Sequence, residues 1–162
     1  MIFTSLQDFC KLFEHGKSII AIDYGQKKIG IALSSPDHLI PMPLKMITVI
    51  GIKEQLASIM ALLEEKQPCA IVLGFPVNMD GSKSPQSLVV ENFANKLAGR
   101  TNLPIFLQDE RLTSRAADNF IKELGFNRKQ RNQKDDLAAA SMILETTLLS
   151  ASKYNEERNL DA

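Results

Sequence analysis

The residues of this chain able to do chemistry are acids at three places far apart in the sequence. Asp23 directly follows the apolar run Ile19-Ile20-Ala21-Ile22 and precedes Tyr24-Gly25. A carboxylate at the end of a buried strand costs free energy unless a cation or a hydrogen-bonded turn compensates it. Gly25 has no side chain, so phosphate or metal can approach its backbone closely. Asp109-Glu110 stands at the end of a second apolar run, Pro104-Ile105-Phe106-Leu107. Adjacent carboxylates repel unless a cation or solvent separates them. Strand alternation turns only one of the two toward a common site. Arg111 is placed to neutralise the other, or to meet a substrate phosphate. The third place is Lys134-Asp135-Asp136, read as the start of a helix, where the dipole favours acids. Asp135 suits the cap, and Asp136, next to Leu137, suits the side facing the sheet.

Each place alone also fits an ordinary role: a turn residue, a surface ion pair ahead of a Thr113 helix cap, a capping acid. Together, two strand ends and a helix start can converge on one edge of a mixed sheet. Oxygen donors of this kind suit Mg2+ or Mn2+. Such ions activate a water and stabilise the leaving oxygen of a phosphodiester.

Composition narrows the alternatives. The chain has 162 residues, 44% of them hydrophobic, and 19 basic against 19 acidic side chains. That is enough for one packed core, and the zero net charge points to no partner class by itself. Cys10 and Cys69 form no CxxC pair, and His15 and His38 lack metal-ligand spacing, so a zinc site is not expected. No apolar run approaches the roughly 20 residues of a membrane helix. No secretory signal is visible either, so the expectation is a cytoplasmic protein with no membrane partner.

Periodicity supplies the elements that must position the acids. Residues 4–14 read as a short helix through Leu6, Phe9, Cys10 and Phe13. Ile19–Ile22 and Ile29–Leu33 read as a hairpin joined by Gln26-Lys27-Lys28, followed by a third strand near Leu44–Val49 after breaks at Pro41 and Pro43. Residues 52–66 are helical, Ala70–Gly74 is a buried strand, and Phe75 to Pro85 is a loop of turn formers. A helix over 86–99 and a fifth strand from Pro104 to Leu107 follow. Beyond Thr113 come a helix through Ala116–Leu124, a basic loop from Gly125 to Gln133, and a helix from Lys134 to Ser150. The expected fold is α/β, a central mixed five-stranded sheet flanked by helices. Residues 1–18 form an N-terminal extension, 19–150 the domain proper and 151–162 a charged tail that frays.

The stretch Ala21-Ile22-Asp23-Tyr24-Gly25-Gln26-Lys27-Lys28-Ile29-Gly30-Ile31-Ala32 resembles the opening motif of the YqgF (RuvX) family. Val72-Leu73-Gly74-Phe75-Pro76-Val77-Asn78-Met79-Asp80-Gly81-Ser82, Asp109-Glu110-Arg111-Leu112-Thr113-Ser114, and Asp136 with Ala138-Ala139-Ala140 resemble its later motifs, in order. The resemblance covers roughly 19–150. It implies a ribonuclease-H-like fold and a nuclease of the kind described as Holliday junction resolvases or pre-16S rRNA processing enzymes. Position by position it implies Asp23, Glu110 and Asp136 as the catalytic, metal-holding acids. The chain departs from the pattern at Lys28, where the family more often has Arg, and at Asp135, where it is commonly apolar. A lysine still meets phosphate as a point charge.

Other residues have candidate roles in substrate binding. Asn78 is placed to hydrogen-bond a phosphate or nucleotide, or simply to close a turn. Between Arg100 and Lys134 there are eight basic residues against four acidic ones. Arg111, Arg115, Arg128, Lys129, Arg131 and Lys134 can line a groove that tracks a sugar-phosphate backbone, or form a solvated basic loop. Tyr24 is a candidate for base stacking as well as for core packing. The expected partners are a structured RNA precursor or branched DNA, with a ribosomal subunit as a further partner, and the chain a monomer or homodimer. Two rival classes remain. The Asp23-x-Gly25 hairpin also resembles that of actin- and sugar-kinase-like ATPases, but those close two such domains around ATP. A non-catalytic RNA-binding assembly factor would keep the fold and lose the need for Asp23.

Overall fold

The computed structural model of the chain describes residues 1–111 and 128–161, the side chains of 128–136 excepted. Strands β1 (Ile2–Phe3), β2 (Ile19–Tyr24), β3 (Ile29–Ser34), β4 (Pro41–Ile47), β5 (Ala70–Phe75) and β6 (Ile105–Asp109) form one sheet. The helices are α1 (Leu6–Cys10), α2 (Ile52–Lys66), α3 (Pro85–Ala98) and α4 (Arg128–Leu160). The strand order is β1-β6-β5-β2-β3-β4. The β2–β3 and β3–β4 pairs are antiparallel, whereas β2–β5, β5–β6 and β1–β6 are parallel.

The central strands are apolar on both faces, as buried parallel strands must be. On one face Ile20, Ile22, Ile29, Ile31, Ile71, Leu73 and Ile105 meet α2 and α3 through Leu56, Ile59, Leu62, Val90, Phe93 and Leu97. On the other, Ile19, Ala21, Ala32, Ala70, Val72 and Phe106 meet Phe9 of α1 and Ala140, Ile143, Leu144 and Leu148 of α4. Alanines on that second face let the long helix lie close to the sheet. Helix α3 opens on a reciprocal Ser84–Ser87 capping box with Pro85 in its first turn. Leu88, near its start, stands exposed.

Three expectations need correction. The sheet has six strands, not five, because Ile2–Phe3 adds a parallel edge beside β6. A strand of two residues is too short for any period to show. Strand β4 begins at Pro41, where a break was expected; it is an edge strand, and an edge tolerates residues that donate no ladder hydrogen bond. Its register shifts opposite Ile31 and Ala32, with Leu44 as the extra residue. Helix α4 already includes Arg128 and runs to Leu160, so Arg128–Gln133 is helical rather than a loop, and the helix continues past Ser152. The helix expected after Thr113 lies outside the described residues. Among the described residues no helix is long and apolar enough to cross a membrane.

Candidate active site

Asp23 is the second-last residue of β2 and is half-buried. It pairs across the antiparallel ladder with Gly30 of β3, one step beyond the Ala21–Ala32 level in alternation. Its side chain therefore rises on the α4 face, above a neighbour with no side chain. On its other flank β5 runs parallel, with Leu73 level with Ile22 and Gly74 next. Glu110 follows β6 directly, and its N–H donates to the Phe75 carbonyl at 3.2 Å. By strand alternation it continues the face of Phe106 and Gln108, again toward α4. Gln108 marks that face, since its Oε1 accepts from Thr147 Oγ1 of α4 at 2.9 Å.

Gly74 makes the convergence possible. A Cβ there would collide with Glu110 Oε1 and stand 2.5 Å from Ile143 Cδ1. The Glu110 carboxyl thus occupies the space that any other residue would fill, and there it is hydrogen-bonded to Asp23. Burial first, then the charge of Asp23, the hydrogen bond to it and the charge of Asp109, push the Glu110 carboxyl up to about 8. Two carboxylates are brought together here, and their proximity disfavours ionising both at once. A divalent cation would relieve the same repulsion, and the all-oxygen donor set suits Mg2+ or Mn2+. No group of three or more ligating side chains occurs among the described residues, of which the side chain of Asp136 is not one.

Asp109, one residue earlier, has the opposite surroundings. Arg111 grips it with Nη2 at 2.6 Å and Nε at 2.9 Å from Oδ2, and the Arg111 N–H donates to Oδ1 at 2.9 Å. The guanidinium holds this carboxyl below the ordinary range. Arg111 Nη1 also donates to the Met79 carbonyl at 3.3 Å. It ties the end of β6 to the loop between β5 and α3, which is closed by a Val77–Lys83 bridge. In that loop Asn78 Nδ2 donates to Ser82 Oγ at 2.9 Å, and Asp80 Oδ1 accepts from the Ser82 N–H at 2.9 Å. The polar groups of Arg111 and Asn78 are engaged in shaping the loop.

Lys28 is exposed at the end of the β2–β3 turn, on an open cleft of about 520 Å³ lined by Asp23, Tyr24, Gly25, Gln26, Lys27 and Lys28. Tyr24 is buried, stacked on Phe93 at 4.0 Å between centroids, with its hydroxyl donating to Gln55 Oε1 at 2.9 Å. It is a core residue and presents no face for a base. Arg115 lies outside the described residues. Arg128, Lys129, Arg131, Asp135 and Asp136 lie in the first turns of α4, where the backbone alone is described. The helix therefore extends at least about two turns ahead of Asp135-Asp136, and neither residue caps it or gains from its dipole. Sequence reasoning missed Gly74 as the floor under Glu110, and it missed Gln55. A polar residue among the apolar positions Ile52, Leu56 and Ile59 of α2 was the signal for the second.

The chain matches the RuvX family, described as Holliday junction resolvase, over residues 17–150. A protein of Rickettsia bellii named "Putative pre-16S rRNA nuclease" is 49% identical over 153 residues, covering 94% of this chain and 99% of that protein. One of Rickettsia canadensis with the same name is 47% identical over 95% of this chain and 100% of its own length. Among solved structures, T. thermophilus RuvC in complex with a Holliday junction substrate aligns with a TM-score of 0.52 at 13% identity, over 78% of this chain and 91% of that one. The yeast mitochondrial Holliday junction resolvase Ydc2 aligns with a TM-score of 0.53 at 13% identity, over 96% and 88%. At such identities the likeness establishes the fold, a ribonuclease-H-like sheet flanked by helices.

Proposed function

The chain belongs to the RuvX family, and from that premise we propose that it is a metal-dependent nuclease that trims the 5′ end of a pre-16S rRNA in ribosome biogenesis. The observation that carries this reading is the contact of Asp23 with Glu110 above Gly74. Packing two carboxylates against each other is costly, and the sheet makes room for Glu110 there only because position 74 is a glycine. Asp23, Glu110 and Asp136 would hold Mg2+ or Mn2+, which when bound supplies an activated water and charge stabilisation at the leaving oxygen. Position 136 falls one turn before Ala140 and two before Ile143, on the stripe of α4 that meets the sheet.

The remaining residues bind and orient the nucleic acid. Lys28, at the cleft, meets a phosphate near the scissile bond as a point charge. Arg115, Arg128, Lys129 and Arg131 track the sugar-phosphate backbone away from the acids, which fixes register without reading sequence. Arg111 and Asn78 serve the same end by holding the loop beside Glu110. The nuclease domain spans 19–150. The 1–18 segment is folded onto it through β1 and Phe9, and 151–162 forms its charged end. The protein works in the cytoplasm as a monomer or homodimer on a structured RNA precursor, with a ribosomal subunit as its assembly partner.

The experiment is cleavage of an end-labelled pre-16S rRNA fragment and of a four-way DNA junction, each with Mg2+ or Mn2+, by wild type and Asp23→Asn. Cutting of the RNA by wild type alone is the expected outcome. The family's description favours a second reading, a Holliday junction resolvase. Preferential cutting of the junction would establish it instead. Absence of cutting with retained RNA binding would establish an assembly factor.

A further inference from the structure

Gln55 lies in α2 at 1% exposure, surrounded by the apolar core, and every polar atom of its side chain is used. Its Nε2 donates to the Gln26 carbonyl at 2.8 Å and the Val49 carbonyl at 3.3 Å, with the Gly25 carbonyl at 3.5 Å. Its Oε1 accepts from the Tyr24 hydroxyl at 2.9 Å. A buried amide is tolerated only when so satisfied, and these partners are not scattered. Two, the Gly25 and Gln26 carbonyls, belong to the turn that follows β2 and returns into β3 through Lys28, and a third, the Tyr24 hydroxyl, comes from the last residue of β2. The fourth, Val49, belongs to the connection from β4 into α2.

The turn is tight enough to need this hold. A Cβ on Gly25 would stand 2.5 Å from the Lys28 carbonyl, so the chain closes on itself there with no side chain to wedge it. None of residues 25–28 is buried, and Gln26, Lys27 and Lys28 are exposed, so packing does not fix them. Their anchorage to the core comes from below, through the amide of Gln55 and the stacked Tyr24–Phe93 pair. All peptides here are trans. A carbonyl held toward α2 therefore turns the N–H of its own peptide the other way, so the Gln26 carbonyl fixes the direction of the Lys27 N–H.

We propose that Gln55 is a positioning residue of the nuclease site: through the Gly25 and Gln26 carbonyls it sets the turn that carries Lys28 against the scissile phosphate beside Asp23. The consequence for activity rests on the nuclease reading; the consequence for the turn does not. Gln55 touches no substrate. It fixes a peptide whose N–H and whose neighbouring lysine meet a phosphate, and small misplacement of such groups costs rate more than affinity. The rest of the nucleic acid is held by contacts outside the turn.

The test uses the full chain and compares Gln55→Met, which keeps the length but removes the hydrogen bonds, with Leu62→Ala, a core truncation farther along the same helix. Tyr24→Phe is the third variant; it removes the one bond that Gln55 accepts and leaves its donors in place. In 15N-labelled protein, Gln55→Met is expected to move the amide signals of residues 25–28 well beyond any change in Leu62→Ala. With Mg2+ and the RNA fragment it is expected to lower kcat about tenfold or more, as loss of a supporting residue does, while KM stays within about threefold. Tyr24→Phe, which leaves both donors of Gln55 in place, is expected to lower kcat less than Gln55→Met does, and an equal fall would overturn the proposal. If Gln55→Met fails to fold, Gln55→Asn, which withdraws the amide by one carbon, supplies the same comparison. Unmoved turn amides would overturn the proposal, and so would a kcat that falls only as far as in Leu62→Ala. Should wild type cut nothing, the nuclease reading fails, and the amide signals alone decide whether Gln55 sets the turn.

Discussion

Asp109 and Glu110 are neighbours in the chain and lie on opposite faces of the sheet, and they show how surroundings divide identical chemistry. Asp109 meets the Arg111 guanidinium at the surface, and its carboxyl is held down. Glu110 meets another carboxylate over a glycine, and its carboxyl is pushed up to about 8. The first is a completed ion pair. The second gathers oxygen donors whose mutual repulsion a cation would relieve. The same contrast runs through the sheet edge: the Arg111 side fastens a loop, and the Asp23 side is floored with glycine.

The largest effect expected from breaking this comparison is on cleavage. Asp23→Asn and Glu110→Gln should each lower the rate by more than about 100-fold, beyond what supporting residues cost, while Asp109→Asn should stay within about tenfold. Equal losses from all three would erase the distinction. Next comes Gly74→Ala, whose new methyl displaces Glu110 and Ile143. It should cost about 1–3 kcal/mol of stability in chemical unfolding and a large part of the cleavage rate.

The pH dependence of stability sharpens the comparison by sign. In metal-free protein Glu110 keeps its proton up to about 8, whereas the unfolded chain releases it near 4.5. Stability from this group is therefore present at low pH, declines as pH rises through that window, and levels off above it. Asp109 acts oppositely, because its carboxyl is lowered below 3.8 in the folded state. Its contribution is present above that value and is lost as pH falls through the lowered one. Melting temperatures with a chelator should show Glu110→Gln without the decline between about pH 4.5 and 8, and Asp109→Asn without the acid loss.

Smaller effects separate binding from chemistry. Replacing Arg128, Lys129 and Arg131 together with Ala should weaken RNA binding and flatten its salt dependence, by roughly one unit of slope for each phosphate that is no longer neutralised. An unchanged slope would remove these residues from the groove. Arg111→Ala should cost only about 0–1 kcal/mol, as exposed ion pairs do, with faster proteolysis of the loop around Met79.

Much of the fold was legible because buried strands leave continuous apolar runs: Ile19–Ile22 and Ala70–Gly74 announce β2 and β5, and the acid ending the first announces Asp23. The pairing of Asp109 with Arg111 was open in the sequence and is settled by the fork. Residues without a long-range pattern were not legible. Ile2–Phe3 has too few residues to show a period, and the prolines of β4 looked like breaks until the strand proved to be an edge. Arg128–Gln133 is polar on every side, so its helix has no apolar stripe to reveal it. Gly74 looked like an ordinary strand end, because the side chain that needs its space arrives from a distant part of the chain. Gln55 was passed over for the same reason, since its partners sit on a turn some thirty residues earlier.

The most direct test is calorimetric binding of Mn2+ at pH values below and above about 8, in wild type, Asp23→Asn and Asp109→Asn. The Asp23–Glu110 centre predicts that wild type binds more tightly above that pH, releases a proton on binding below it, and loses binding in Asp23→Asn but not in Asp109→Asn. Equal binding by wild type and Asp23→Asn, with no proton released, would contradict it.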